Sequence, residues 1–316
     1  MFTLGIIGLG AMGADMLEAA AGHPDFTVRV AADLRTDLVE QTRARYPDIA
    51  CSTEPRDVLA SDVDAVYVAT PPATHADLVV AAFAAGKAVF CEKPLAVAGP
   101  DGDRMVTAAQ VSGLANAVNF ALADRAAVLE IGRALAAGDV GRVRAVEIRL
   151  VFPVWPRAFQ AHATWLDGRA QGGFVREVLS HFAYVTDKLV GPIRTEYTHM
   201  EYAGPERSES TAIGLLYAGG VPVHVSGAAG LSGPEVYEWT LWGEHRSYRL
   251  TDWGTLSIWD GVAWATVDVP GPRGSEATRL SRFAAAMRGE PQPDLADFAA
   301  ARRVQTVIES FHQDGS

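Results

Sequence analysis

The chain has 316 residues, 49% of them hydrophobic, with 27 Lys and Arg against 38 Asp and Glu, a formal net charge of −11. That length and apolar content predict two domains with sizeable cores, and the acidic balance argues against a nucleic-acid or anionic-membrane partner, since both are polyanions. Two cysteines, Cys51 and Cys91, cannot build a disulfide framework and fit a reducing compartment. No apolar stretch approaches the ~20 residues that cross a bilayer, and the short N-terminal apolar run reads as a strand and not a leader; a cytoplasmic location is expected.

In chain order, Thr3 to Ile7 reads as a buried strand and Ala11 to Ala21 as a helix. Between them the string GLGAMG at 8–13 sets Gly8, Gly10 and Gly13 at G-x-G-x-x-G spacing. The first glycine permits a tight turn, the second lets backbone approach a pyrophosphate, and the third lets helix pack on strand. The helix N-terminus offers free N–H groups and a positive dipole end to the phosphates. A second strand, Val28 to Ala32, ends in Asp33, about 20 residues past the last glycine, where a carboxylate accepts the ribose hydroxyls of an adenosine. Position, spacing and flanking elements together point to dinucleotide binding.

A helix over Thr36 to Tyr46 follows, then a strand at Asp64 to Ala69 that runs into Thr70-Pro71-Pro72. Thr74 is positioned to cap a helix over His75 to Ala85. Ala88 to Cys91 is the next strand, with Cys91 a core thiol, and it ends at Glu92-Lys93-Pro94. A helix near Asp101 to Val111 and a strand at Ala115 to Phe120 complete the alternation. Such β-α-β alternation predicts a parallel sheet covered on both faces, with ligands at the carboxyl ends of its strands. After a helix at Ala126 to Ala137 the period changes. Val143 to Phe152, Ile193 to Tyr202, Thr211 to Tyr217, Val221 to Ser226, Tyr237 to Trp242, Ser247 to Leu250, Thr255 to Trp259 and Ala263 to Val267 read as strands of a mostly antiparallel sheet. An insertion, Pro153 to Leu189, contains a helix from about Val175. Helices near Ala277 to Met287 and Leu295 to His312 close the chain.

Lys93 lies at a strand end, followed by proline. Glu177 and His181, four apart in the expected helix, share a face; alone, such a pair is more often an ordinary helix surface pair. Asp187 and Lys188 read as solvated helix-end charges. His75 reads more as a tie between helix and strand ends than as a chemical group. Asn119 ends a strand where it faces either nicotinamide and substrate or its own turn. Trp155, Arg157, His162, Trp165 and Asp167 precede the Glu177 helix and supply either a substrate wall or domain packing. His199, His224 and His245 fall in sheet segments and read as structural. No His/Cys/Asp spacing suggests a metal.

Lys93 combined with Glu177 and His181 resembles the glucose–fructose oxidoreductase, inositol dehydrogenase and rhizopine catabolism (Gfo/Idh/MocA) family. The resemblance rests on GLGAMG at 8–13, TPPATH at 70–75, EKPLA at 92–96, Gly138-Asp139-Val140-Gly141, GGFVREVLSHF at 172–182 and the closing helix Asp297 to His312. It implies an α/β fold: an N-terminal Rossmann domain with a doubly wound parallel sheet over 1–120, and a C-terminal α+β domain with a mostly antiparallel open sheet over 121–316, the last helices able to pack near the first domain. The open sheet commonly carries the family's oligomer interface, so a homodimer or homotetramer is expected.

The resemblance further implies an NAD(P)-dependent alcohol–ketone interconversion on a sugar or cyclitol, with NAD the expected cofactor and NADP an alternative. Gly8, Gly10, Ala11, Met12, Gly13, Asp33, Leu34, Arg35, Thr70, Pro71, His75, Glu92, Lys93 and Asn119 are the expected cofactor residues. Lys93, Glu177 and His181 are the expected catalytic residues, joined by Asn119 and Trp165 toward substrate. The helix carboxylate is typically Asp in the family, so Glu177 is one methylene longer than the pattern. Oxidising a secondary alcohol removes a hydride and a proton. His181 suits the proton, Lys93 the developing alkoxide charge, and Glu177 the orientation of the imidazole or a substrate hydroxyl. An imine reductase or a lyase using NAD transiently remains an alternative on the same fold. A non-enzymatic cofactor-binding regulator would need neither the lysine nor the histidine.

Overall fold

The first strand, β1 (Phe2–Ile7), is buried through its second half on both faces, as a central parallel strand requires. The computed structural model describes residues 1–160, 163–271 and 274–313. In chain order β1 is followed by α1 (Ala11–Ala21), β2 (Phe26–Ala32), α2 (Thr36–Arg45), β3 (Ala50–Ser52), α3 (Pro55–Ala60), β4 (Ala65–Val68), α4 (His75–Ala84), β5 (Ala88–Cys91), α5 (Gly99–Ser112) and β6 (Asn116–Val118). Then come α6 (Ala126–Ala136), β7 (Val143–Phe152), α7 (Ser180–Leu189), β8 (Ile193–Tyr202), β9 (Glu209–Ala218), β10 (Val221–Ala229), β11 (Val236–Gly243), β12 (Tyr248–Thr251), β13 (Thr255–Trp259), β14 (Trp264–Val267), α8 (Glu276–Met287) and α9 (Phe298–His312). Contacts divide the chain into two compact units, Met1–Phe120 with Gly274–Arg302, and Ala121–Arg273 with Arg303–Ser316.

The first unit is a six-stranded parallel sheet in the order β3-β2-β1-β4-β5-β6. This is the doubly wound order, whose connections reverse between β1 and β4. Gly8 follows β1 at that reversal with φ +98, and a Cβ there would lie 2.5 Å from the Ala69 carbonyl oxygen. Two elements are absent from the sequence expectation: β3, at the sheet edge, and α3, which packs over β1 and β2. They are short, and α3 is held by Val58, whose Cγ1 lies 2.5 Å from where a Gly5 Cβ would be. A boundary at 120 alone leaves out the return of Gly274–Arg302 to this unit. Phe283 of α8 causes it, packing on Phe90 at 5.2 Å and on Phe26 at 6.3 Å between centroids. Beside it, the fully buried Arg279 donates from Nε to Asn119 Oδ1 at 2.6 Å and from Nη2 to Glu276 Oε2 at 2.6 Å.

The second unit is an eight-stranded sheet in the order β14-β13-β12-β11-β7-β10-β9-β8. Every pairing is antiparallel except β7 with β10. One face carries the alternate residues Val146, Ile148, Leu150 and Phe152 of β7, all buried, and the helices lie on it. Gly214 and Gly227 leave room there for the rings of Phe311 and Phe174, and buried Trp239 donates from Nε1 to Thr186 Oγ1 of α7 at 2.8 Å. The expected solvated pair at the end of α7 is corrected here. Asp187 is buried and accepts Arg303 Nη2 at 2.7 Å, and Lys188 Nζ donates to the Ala123 carbonyl at 2.8 Å. Local periodicity carries no sign of partners so distant in sequence. His245 is likewise in the turn after β11 and not in a strand, its ring against Gly141.

Candidate functional site

In the first unit the glycine loop has the steric character of a phosphate cradle. A Cβ on Gly13 would lie 1.9 Å from the Gly8 carbonyl oxygen, whereas Gly10 faces open space. Gly10 is the N-cap of α1, without a side-chain cap and with no acidic residue in the first turn, so Ala11 and Met12 present exposed backbone. Asp33 is fixed above this loop. Its Oδ2 accepts the Leu9 N–H at 2.7 Å and its Oδ1 the Arg35 N–H at 2.8 Å. Leu34 is 77% exposed. The Arg35 guanidinium is paired with Asp37, Nε to Oδ1 at 3.2 Å, which raises Arg35 and lowers Asp37 from their ordinary ranges through that hydrogen bond. These residues fit a dinucleotide: a cradle without Cβ atoms, unspent N–H groups, and a carboxylate held at the β2 end.

At the neighbouring strand ends Glu92 is buried. Its Oε1 accepts from the Tyr67 hydroxyl and from Asn119 Nδ2 at 2.7 Å, and its Oε2 accepts the Lys93 N–H at 3.2 Å. Burial pushes the Glu92 carboxyl up, opposed first by the Lys93 charge and then by these hydrogen bonds. Burial, and next the Glu92 charge, push the Tyr67 phenol well up. Asn119 also donates to the Tyr67 hydroxyl at 3.1 Å and accepts from Arg279, so its amide is engaged inside the unit on both sides. Half-buried Lys93 starts the loop after β5, its bond to Pro94 cis. His75 is fully buried, with Nε2 2.8 Å from the Thr70 carbonyl and Nδ1 3.1 Å from that of Pro94. It ties the loops after β4 and β5 together, and burial lowers its pKa. Thr74 does not cap α4: its hydroxyl donates to Thr70 Oγ1 and the Pro71 carbonyl, because a 3-10 turn over Pro72–Thr74 already leads into the helix.

In the second unit Glu177 and His181 are both buried, which removes the surface-pair reading. Their helix does not open as an α-helix; Val175–Leu179 is a π-turn that continues into α7. Such turns re-aim side chains and are frequent at functional sites. The turn is anchored from β9. The buried Glu209 accepts the Val175 N–H on Oε1 at 2.6 Å, and Gly173, at φ +98, leaves space for Oε2, which would lie 2.0 Å from a Cβ there. Burial raises the Glu209 carboxyl, opposed first by the Val175 hydrogen bond. Arg176 is buried among carbonyls, its Nη1 donating to Gly172 at 3.0 Å and Arg169 at 3.1 Å.

Trp253 packs edge-on to the His181 ring at 5.0 Å, and also against Phe182 and Tyr237. It sits in the β12–β13 turn with φ 62 after Asp252 at φ 48. Two consecutive non-glycine residues in the left-handed region hold strain that the surrounding packing must impose. Trp155 stacks edge-on to Phe152 and Phe174, and Arg157 lies over Trp155 and Phe159. Gln160 Nε2 reaches Glu177 Oε2 at 3.5 Å. Trp165 is half-buried in a separate 3-10 turn, where Asp167 pairs with Arg207 at 2.7 Å. His162 lies outside the described residues. Among the described residues no cluster of His, Cys, Asp or Glu could hold a metal, and no helix is long and apolar enough to cross a membrane.

Residues 2–120 match the family described as an oxidoreductase family with an NAD-binding Rossmann fold. The chain carries a Gfo/Idh/MocA NAD-binding domain. It is 40% identical over 111 residues to the 1,5-anhydro-D-fructose reductase of Ensifer adhaerens, covering 35% of this chain and 30% of that protein. It is 29% identical over 206 residues to the inositol 2-dehydrogenase of Acidiphilium cryptum (strain JF-5), covering 64% and 61%. The chain thus spans at most about three-fifths of these curated relatives' lengths. The fold of the WlbA dehydrogenase from Bordetella pertussis, solved with NADH and UDP-GlcNAcA, superposes with a TM-score of 0.84 at 20% identity, covering 99% of this chain and 94% of that one. At that identity the likeness shows the fold: a six-stranded parallel sheet and a mostly antiparallel one.

The sequence pattern gave little sign of Glu209, Arg279, Trp253 and Tyr67. Each acts across 20 or more residues, and only the Asp252-Trp253-Gly254 turn left a local trace. Glu209 yields a pH test. Its folded-state pKa lies above the ordinary value of 4.5, so the stability it lends is full below about pH 4.5 and is lost as pH rises through the raised value. In Glu209→Gln the acceptor for Val175 survives without the charge. The melting temperature of Glu209→Gln is expected to gain on that of the parent as pH is raised from 4 to 8, and equal offsets across that range would contradict the buried-carboxylate account.

Proposed function

We propose that this chain is an NAD-dependent oxidoreductase that interconverts a secondary alcohol and a ketone on a sugar, cyclitol or related polyol. The observation that carries the reading is the buried carboxylate of Glu177 on an anchored π-turn and the buried imidazole of His181 in the helix that continues it, the latter walled by Trp253, in a chain whose first unit has a dinucleotide cradle. The names of the relatives, an anhydrofructose reductase and an inositol dehydrogenase, supply the substrate class extended here.

The nicotinamide cofactor, when bound, takes or gives the hydride. His181 takes the hydroxyl proton in oxidation and returns it in reduction, a task suited to an imidazole. The Lys93 ammonium stabilises negative charge on the substrate oxygen. Glu177 orients the imidazole or accepts a substrate hydroxyl. Glu92, Tyr67 and Asn119 hold the backbone from which Lys93 springs, and His75 keeps the loop carrying Thr70 and Pro71 in register with it.

A screen of sugars, cyclitols and keto-sugars with NAD(H) and NADP(H) tests the reaction class. With a competent substrate, Lys93→Met and His181→Ala are each expected to cut turnover by about 10²-fold or more with little change in NADH affinity. Near-normal turnover in either would remove that residue from the chemistry. Glu177→Gln separates two roles: partial activity with a shifted pH profile marks an orienting carboxylate, and a loss equal to that of His181→Ala marks the proton acceptor.

NADH is favoured over NADPH because Asp33 would repel a 2′-phosphate and Arg35 is committed to Asp37. Titration should give NADH the smaller dissociation constant by about tenfold, or ~1.4 kcal/mol; tighter NADPH would reverse the assignment.

A homodimer or homotetramer is also part of the proposal. The sheet face turned from the helices presents Tyr197 and Ile213, 56% and 48% exposed, beside Leu215 and Tyr217, and an apolar patch of that kind marks an association surface. Light scattering at micromolar concentration should find a species larger than 33.6 kDa, and a monomer there would refute it.

A further inference from the structure

Two arginines of this chain are buried, and both are explained by the fold: Arg176 is held by two carbonyls, and Arg279 by Asn119 and Glu276. Half-buried Arg157 is held differently. Its Nε donates to Gln160 Oε1 at 2.8 Å and its Nη1 to the Tyr237 hydroxyl at 3.1 Å. A guanidinium has five N–H donors in a planar fork, so three of the five, including both on Nη2, meet no acceptor among the described residues. No carboxylate lies within ion-pair distance of it among those residues, and the charges of Glu177 and Glu235 act on it only from farther away. Burial, the leading influence, pulls its pKa down.

The position of this cation is specific. Its plane lies over the Phe159 ring at 4.7 Å and the Trp155 ring at 5.6 Å, and Phe159 is 66% exposed. From Arg157 one side chain, Gln160, reaches Glu177. On the other side Tyr237 leads through Trp253 to the His181 ring. The guanidinium is therefore fixed by aromatic faces and two neutral hydrogen-bond partners, one side chain removed from Glu177 and two from His181, with its remaining edge unspent.

We infer that Arg157 is the anion-reading residue of the Glu177/His181 site, and that the substrate is a polyol bearing a carboxylate, such as an aldonate or a uronate. This rests on the oxidoreductase reading above and narrows its substrate class. A planar carboxylate matches the free edge of a guanidinium with two parallel charge-assisted hydrogen bonds. The flanking rings of Phe159, Trp155 and Tyr237 offer apolar faces for the C–H side of a polyol. An anion there completes the charge balance of a cation that the protein itself leaves without a carboxylate partner. Those donors reach solvent, and a carboxylate replaces water there with a pair of charge-assisted hydrogen bonds that a neutral hydroxyl does not match.

The test uses pairs that differ by carboxylate for CH₂OH: D-galacturonate with D-galactose, and D-gluconate with D-glucitol. Each is assayed for NAD(H)-linked turnover and for its effect on the melting temperature of the NADH-saturated protein. The acid of a pair is expected to exceed its neutral partner at least tenfold in kcat/KM and to raise the melting temperature more. Arg157→Gln should lower that acid-to-neutral ratio by roughly 10–100-fold, with Arg157→Lys intermediate because it keeps the charge and loses the fork. Acid-specific stabilisation that disappears in Arg157→Gln, without turnover of any compound, would uphold the anion site and overturn the oxidoreductase reading. Neutral members preferred, acid and neutral affected equally by Arg157→Gln, or no response to either acid would overturn the inference. Retained melting temperature in Arg157→Lys keeps a folding defect apart from these outcomes.

Discussion

The chemistry of the second unit hangs on one contact, the Glu209 carboxylate on the Val175 amide. A helix terminus leaves N–H groups without partners, and a negative charge there also meets the positive end of the helix dipole. Here that anchor comes from a strand of the sheet and not from the preceding loop, so the π-turn bearing Glu177, and the helix with His181 that continues it, are referenced to the sheet. The glycine pair before it is dictated by the same arrangement. A Cβ on Gly172 would lie 2.4 Å from the carbonyl oxygens of Trp165 and Leu166, and one on Gly173 would strike Glu209. The price is a buried carboxylate whose ionisation the interior resists.

The first unit uses the same device with different atoms. Glu92 is buried at the end of β5, satisfied by Tyr67, Asn119 and the Lys93 amide, and the chain of contacts ends in Arg279 from α8. Buried polar groups are costly when partly satisfied and rigidifying when complete. In both units a buried carboxylate fixes the backbone beneath a candidate site residue. The return of α8 to the first unit has a similar logic, since its arginine closes a network begun by strands far earlier in the chain.

What the sequence disclosed follows the range of each signal. The glycine loop, Asp33 and the β-α-β alternation are local patterns, and the sheet order they imply is the one found. The antiparallel strands of the second unit were legible from period-2 alternation, to within two or three residues at their ends. The lost information is long-range or lies in short non-α turns. Asp187 reads as solvent-facing until Arg303 is brought to it, and Thr74 reads as a cap until the 3-10 turn before it takes the role. Glu209 opens a strand with nothing local to set it apart. The π-turn is invisible because its spacing differs from an α-helix by a single residue, and periodicity over a few positions does not resolve that.

The one parallel pairing in the second sheet has a consequence for how the chain is assembled. β8, β9 and β10 pair with their sequence neighbours, and so do β11 to β14, so each set can form as a local meander. The strand that joins them, β7, precedes both and meets β10 at a separation of 77 residues and β11 at 85 to 100. Until it enters, β10 and β11 each expose an unpaired edge of the kind that recruits other chains. Pairing of β7 is therefore the most non-local closure in this sheet, the kind of contact whose loop entropy must be met before it is rewarded.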